Sequence, residues 1–249
     1  MRPGGHPDAA RVLAAPRGGQ LARGASRPAA AGVTTAVHAS PPSPRCRCDR
    51  LASLRWVAEQ GAVRVDVLAH VLDPTRPRSP AHARHVVRSW RVAGLVEHER
   101  RLADRPGVLW ATPAGRRRVG LPGRADRPAL GLLPHLHAVT LVRLGVERRG
   151  GRDWRSERTL HRERPTRDAH VADARFSTPD GVVTAVEVEL TRKGAARLVA
   201  IVDELTLEFE RVLYVVAGEG VRAAVAAAVE RLGVEDRVVI ADVAAFALA

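Results

Sequence analysis

Asp173, Glu187, Glu189 and Lys193 are the residues of this chain whose types and spacing suit chemistry. Lys193 is the one lysine among 40 basic side chains, and it closes the run Val186-Glu187-Val188-Glu189-Leu190-Thr191-Arg192-Lys193. A lysine amine is compact and shifts its pKa readily, whereas a guanidinium stays charged. A chain that uses arginine at every other basic position therefore marks this amine as distinct. Carboxylates offer hard oxygen donors that suit Mg²⁺, an ion that keeps several of its waters. A metal so held polarises a phosphodiester and lowers the pKa of an attacking water. A nearby ammonium stabilises the charge that develops on phosphorus. The set reads as the acid and base complement of a metal-dependent nuclease: Asp173, Glu187 and Glu189 as metal ligands, Lys193 beside them, Glu157 as an outer ligand, and His170 within reach of the same edge.

Such a set works only if local structure gathers it. A strand alternates faces with period two, so Glu187 and Glu189 share one face while Val186, Val188 and Leu190 point into the core. Pro179-Asp180-Gly181 has the residues of a tight turn. It folds a strand over 170–176 back against a strand over 182–190, which brings Asp173 beside the glutamates. Around this hairpin the pattern predicts a helix over 135–147 broken at Gly150-Gly151. A strand over 154–160 follows, containing Glu157. Thr191 then caps a helix running to about Phe209, with Lys193 in its first turn. A buried strand over 212–216, a helix over 221–232 and a last strand over 238–240 complete the order αβββαβαβ. That order implies a mixed sheet with helices on both faces.

The first half has another character. Apolar residues recur at three and four over 51–72, giving two short helices broken at Gly61. Ser79-Pro80 starts a third helix, with serine as N-cap and proline at the first position. Strands over 95–98 and 108–112 flank an Arg-Pro-Gly turn. Helix, helix, helix and a two-stranded wing make a winged helix-turn-helix. Its third helix would present Arg84, His85 and Arg88 to the major groove. Arg100, Arg101 and Arg105 on the wing would meet phosphate or the minor groove. Residues 1–49 show no periodicity and are expected to be a disordered tail. The winged helix is placed at 50–120, a linker at 121–133 and the α/β domain at 134–249.

Charge supports this division. Residues 1–50 carry a net +6, residues 51–128 a net +8 and residues 129–249 a net −1, within a total of +13. The positive excess lies where phosphates would be met. No apolar run approaches a membrane span, and the N-terminus lacks the apolar core of a signal peptide, so a cytoplasmic protein is expected. Cys46 and Cys48 are two thiols, too few to complete a structural zinc site.

The motifs also carry a resemblance. Aspartate, a hairpin, then Glu-x-(Lys or Glu) on an αβββαβ core resembles the PD-(D/E)XK nuclease superfamily. More narrowly, the chain looks like the replication-relaxation family of actinobacteria. The stretches that carry it are Leu54-Arg-Trp-Val-Ala-Glu-Gln-Gly-Ala, Ala93-Gly-Leu-Val, Trp110-Ala-Thr-Pro-Ala-Gly, His135-Leu-His-Ala-Val, Trp154-Arg-Ser-Glu-Arg, His170-Val-Ala-Asp-Ala and Ala185-Val-Glu-Val-Glu-Leu-Thr-Arg-Lys. They lie within residues 51–217. The resemblance implies a winged helix joined to a restriction-endonuclease-like domain. It also implies double-stranded DNA as partner, Mg²⁺ as cofactor, and a role in plasmid or mobile-element replication and relaxation. Two positions depart from the pattern. Ala172 stands where proline usually precedes the aspartate, and Glu189 stands at the usual lysine position, with the lysine displaced to 193. The alternative is a non-enzymatic winged-helix regulator, its second domain a degenerate nuclease fold used to dimerise or bind a partner.

Overall fold

Two sheets organise the chain, which is mixed α/β in the computed structural model describing residues 45–100, 105–122, 124, 127–163 and 170–248. The first part runs α1 (Arg45–Gln60), β1 (Val63–Arg64), α2 (Val65–Val71), α3 (Pro80–Val92), β2 (Val96–Glu99), β3 (Val108–Ala111) and α4 (Pro113–Arg118). Its three-stranded sheet is antiparallel in the order β1-β3-β2. Ser79 caps α3 by accepting a hydrogen bond from the His82 amide, and Pro80 fills the first turn, as the sequence indicates. One face of α3 buries Ala83, Val86, Val87 and Trp90.

The second part runs α5 (Leu133–Arg148), β4 (Arg152–Ser156), α6 (Glu157–Glu163), β5 (Ala174–Ser177), β6 (Val183–Glu189), α7 (Ala195–Glu208), β7 (Arg211–Val216), α8 (Glu219–Leu232) and β8 (Val238–Asp242). The sheet order is β4-β5-β6-β7-β8. The first three strands are antiparallel neighbours, and β6, β7 and β8 are parallel. Parallel strands need helical crossovers, which α7 and α8 supply. They also need apolar cover on both faces, which explains the near-continuous apolar run Val212-Leu213-Tyr214-Val215-Val216. Leu213 and Val215 face one cluster with Val186 and Val188. Val212, Tyr214 and Val216 face the other, with Leu198, Ile201 and Val225 of α7 and α8.

Several boundaries differ from the sequence expectation, each for a local reason. The expected tail over 1–49 gives way to helix at Arg45, and residues 1–44 lie outside the described part. The break at Gly61 is present, with φ at 81°, but it leads into β1, a strand too short to leave a period. The expected strand over 154–160 ends at Ser156, and Glu157 begins α6 instead. Residues 170–173 are loop, and the strand begins at Ala174. Thr191 does not cap α7. That helix starts at Ala195 after Gly194, so Lys193 sits in the loop before it.

The two parts share a core. Leu54, Val57 and Leu109 belong to the same apolar cluster as Val142, Leu144, Phe176 and Val215. Polar bonds reinforce the seam along α5. Arg143 reaches Glu59 at 2.9 Å and Glu147 at 2.7 Å, with its guanidinium 4.6 Å from the Trp56 ring centre. Trp56 donates to Glu147 at 2.8 Å, and Trp154 donates to Gln60 at 3.2 Å. Arg148 meets His70 Nδ1 at 2.5 Å, and Arg64 meets His137 Nε2 at 3.1 Å. A guanidinium can only donate, so both imidazole nitrogens accept and both rings are neutral.

Two outcomes follow for stability. Arg143→Ala strands two carboxylates in the seam and should lower the unfolding free energy by about 3 kcal/mol in urea titrations, the low end for breaking a buried pair. A loss within experimental error of zero would show the pin to be ornamental. Burial and the Arg64 charge push His137 down from 6.5 to about 4. The unfolded chain therefore binds the extra proton first, and the stability that neutral His137 contributes is full above 6.5 and lost as pH falls toward about 4. NMR titration should find the ring neutral at about pH 5; titration near the ordinary histidine value would refute this.

Candidate functional site

A cleft of about 690 Å³ opens where β6 ends, between the start of α5 and the loop before α7. In open α/β sheets the carboxyl ends of parallel strands leave such crevices, because the crossover helices diverge there. Asp173, Glu187, Glu189, Lys193, Glu157 and His170 all line it, so the structure brings every residue of the expected set into one cleft.

The sequence dictates the local arrangement. β5 and β6 pair Ala174 with Val186, which carries Asp173 alongside the glutamate end of β6. Asp173 is fixed there by its own bonds: Oδ2 accepts from the Val188 amide at 2.7 Å, and Oδ1 meets His135 Nε2 at 2.8 Å. Glu187 and Glu189 alternate with Val186 and Val188, yet both are only 3% exposed. Burying carboxylates is costly without partners. Glu187 meets His170 Nε2 at 3.0 Å, and Lys193 Nζ lies 2.5 Å from Glu189 and 3.8 Å from Glu187. The His170 amide in turn donates to Glu204 of α7 at 2.6 Å. Glu157 stands apart, half exposed and 3.4 Å from His161.

Burial raises the Glu187 carboxyl above its ordinary value; the His170 hydrogen bond opposes this, and the Asp173 charge adds to the rise. Beneath it, Tyr214 lies opposite Glu187 in the β6–β7 register, fully buried. Its hydroxyl has no hydrogen-bond partner among the described residues. Burial holds the phenol neutral, and the charges of Glu187, Glu189 and Asp173 reinforce this. His135 is raised as well, but by its hydrogen bond to Asp173, which outweighs the opposing effect of burial. A raised glutamate, a raised tyrosine and a raised histidine, each shifted in part by neighbouring carboxylate charge, mark a concentrated negative potential, the field that attracts a cation.

The donor chemistry of Asp173, Glu187 and Glu189 fits Mg²⁺, being all oxygen and acidic. Among the described residues, no three His, Cys, Asp or Glu side chains converge at the spacing of a bound ion. Their oxygens are turned instead onto His135, His170 and Lys193.

Sequence reasoning missed His135 as a site residue, along with His161 and Arg197 on the cleft wall. The His135-Leu136-His137 pattern was the available signal, but only tertiary packing shows which histidine faces the carboxylates.

A second surface is basic. Arg84, His85 and Arg88 are exposed on α3, opposite its buried face, and Arg91 continues the row. Arg100 and Arg105 are also exposed, whereas Arg101 lies outside the described residues. No described helix is long and apolar enough to cross a membrane. Comparison with protein-family models and with curated proteins gives no match.

Asp173→Asn should drop the His135 pKa below its present raised value, because the hydrogen bond that lifts it is weakened while burial persists. Imidazole NMR titration reads this directly; an unchanged His135 would mean that its proton is held by another group.

Proposed function

We propose that this chain is a DNA-binding protein of plasmid or mobile-element replication and relaxation. Its first part acts as a winged helix-turn-helix on double-stranded DNA, and its second part is a PD-(D/E)XK-type nuclease-like domain that nicks or cleaves DNA with Mg²⁺. One observation carries the reading: two glutamates almost wholly buried at a strand end, with Asp173 beside them and the only lysine of the chain paired to both. Folding alone gives no reason to keep such a cluster, since desolvation opposes it. A carboxyl raised by burial, with a lysine and a second carboxylate beside it in a cleft, is a common mark of a functional site.

In this reading α3 places Arg84, His85 and Arg88 against base edges and phosphates, while Arg100, Arg101 and Arg105 engage the backbone. Asp173, Glu187 and Glu189 would hold the metal, whose chemistry is to polarise the phosphodiester and acidify a water. Asp173 is held in place by the Val188 amide. His135 is placed to retain or release a proton at Nε2. Lys193, one-third exposed, is placed to meet a non-bridging phosphate oxygen.

The second reading also has an observation behind it. Lys193 and His170 already engage the glutamate oxygens, an arrangement that suits a degenerate nuclease fold serving a regulator. That protein would bind DNA, dimerise or hold a partner, and cut nothing.

Binding of duplex DNA should weaken linearly in log salt, because displaced counterions drive it. Removing Arg84 and Arg88 together should reduce the slope by roughly 2, at about 0.9 per phosphate contact. Salt-independent binding would rule out the phosphate-led reading. In a supercoiled-plasmid nicking assay with Mg²⁺ or Mn²⁺, wild type should cut, Asp173→Ala should not, and Lys193→Arg should retain metal-dependent thermal stabilisation but lose cutting. A wild type that binds DNA and never cuts establishes the regulator instead.

A further inference from the structure

In the cleft at the end of β6, acids and basic groups match one to one, with a single basic group left over. His135 pairs with Asp173 at 2.8 Å, His161 with Glu157 at 3.4 Å and His170 with Glu187 at 3.0 Å. Lys193 lies 2.5 Å from Glu189. Among the described residues, no other acid lines the cleft. Arg197 is the remaining basic residue of its wall, and it has no hydrogen bond or ion pair among the described residues.

The fold itself brings this guanidinium to the cleft. Arg197 stands in the first turn of α7, one turn before Ile201 and two before Leu205, both buried against the sheet. Residues four apart share a helix face, and side chains tilt toward the helix N-terminus. Arg197 therefore extends the sheet-facing stripe of α7 to the strand ends, which is how an exposed residue comes to line the cleft. Its charge reaches the buried Tyr214 phenol, where it opposes the effect of Glu187, Glu189 and Asp173. Helix energetics give no reason for a cation here. The first turn is the positive end of a helix, where a further positive charge is disfavoured. No acid in that turn and no side-chain cap at Gly194 offsets it.

We propose that Arg197 binds a phosphate of the DNA strand that enters this cleft, through paired N–H donors of its guanidinium. The assignment rests on the DNA reading of the same cleft and adds a division of labour to it. A guanidinium presents a rigid fork of donors that matches a phosphate in pairs. Being unpaired, Arg197 has its whole charge to offer, whereas Lys193 is shared between Glu189 and Glu187. Arg197 holds the phosphate on arrival, a contact present before and during reaction alike. Lys193 answers the charge that develops at phosphorus only as the reaction proceeds.

The test uses the full chain with Mg²⁺ and takes thymidine 3′,5′-bisphosphate as probe, its affinity read by isothermal titration. Arg197→Gln should weaken the probe by at least about tenfold, a difference of about 1.4 kcal/mol. Arg197→Lys should recover part of that loss, because it restores the charge without the fork. Lys193→Gln should weaken the probe less than Arg197→Gln does. Since Arg197 makes no bond within the described fold, Arg197→Gln should melt at or slightly above the wild-type temperature. On plasmid it should raise KM with a much smaller change in kcat, whereas Lys193→Arg should act through kcat. A wild type that binds the probe through Arg197 and never cuts keeps this assignment and ends the nuclease reading. A wild type that cuts, beside an Arg197→Gln variant of unchanged affinity and KM, ends this assignment and leaves the nuclease reading standing. A wild type that does not bind the probe also overturns the assignment, as does a loss in Lys193→Gln that equals the loss in Arg197→Gln.

Discussion

Arg143 brings a full positive charge into a position only 5% exposed, and the rest of the structure depends on how that charge is met. It lies on α5, the helix packed between the two sheets. Glu59 of α1 and Glu147 of α5 accept hydrogen bonds from it, and the faces of Trp56 and Trp154 lie 4.6 and 5.8 Å from its centre. A guanidinium suits this position because it is planar, weakly hydrated and able to bond in its plane while stacking on rings. Each partner has a second tie. Trp56 also donates to Glu147, and the neighbouring Trp154 donates to Gln60 of α1. The apolar cluster then runs without a break from Leu54 through Val142 to Val215.

This seam gives α5 a fixed pose, and the pose gives the candidate site its shape. The start of the helix presents His135 to Asp173 on one side and His137 to Arg64 on the other. Two histidines with opposite shifts thus sit two residues apart. His135 is raised by a carboxylate bond, and His137 is lowered by burial and by Arg64. Two equal side chains acquire unequal chemistry because one meets an acceptor and the other a donor.

The carboxylate end of β6 shows a different economy. Its two glutamates occupy positions that alternate with core valines, yet both faces of the strand are covered, as a parallel sheet requires. The acids are therefore desolvated by the fold itself, and every cation nearby is drawn to them. Lys193 can answer because the loop over 190–194 returns it toward the strand end. On a helix starting at Thr191 it would project along a fixed rotation instead.

By itself, the sequence determined the elements that announce themselves locally. Ser79-Pro80 fixed the start of α3, since a cap needs only its own four residues. The turn at Pro179-Asp180-Gly181 set the hairpin register that brings Asp173 to Glu187 and Glu189, because a tight turn leaves little freedom of pairing. The valine-rich runs identified buried strands. What lacked a local signal was decided by tertiary contacts. β1 exists because β3 offers it a partner. Glu157 turns into a helix because the strand pairing ends at Ser156. Two residues that sequence spacing treats alike, His135 and His137, part company only when α5 is wedged between two sheets, because the facing of a side chain on a buried helix is set by what packs around it.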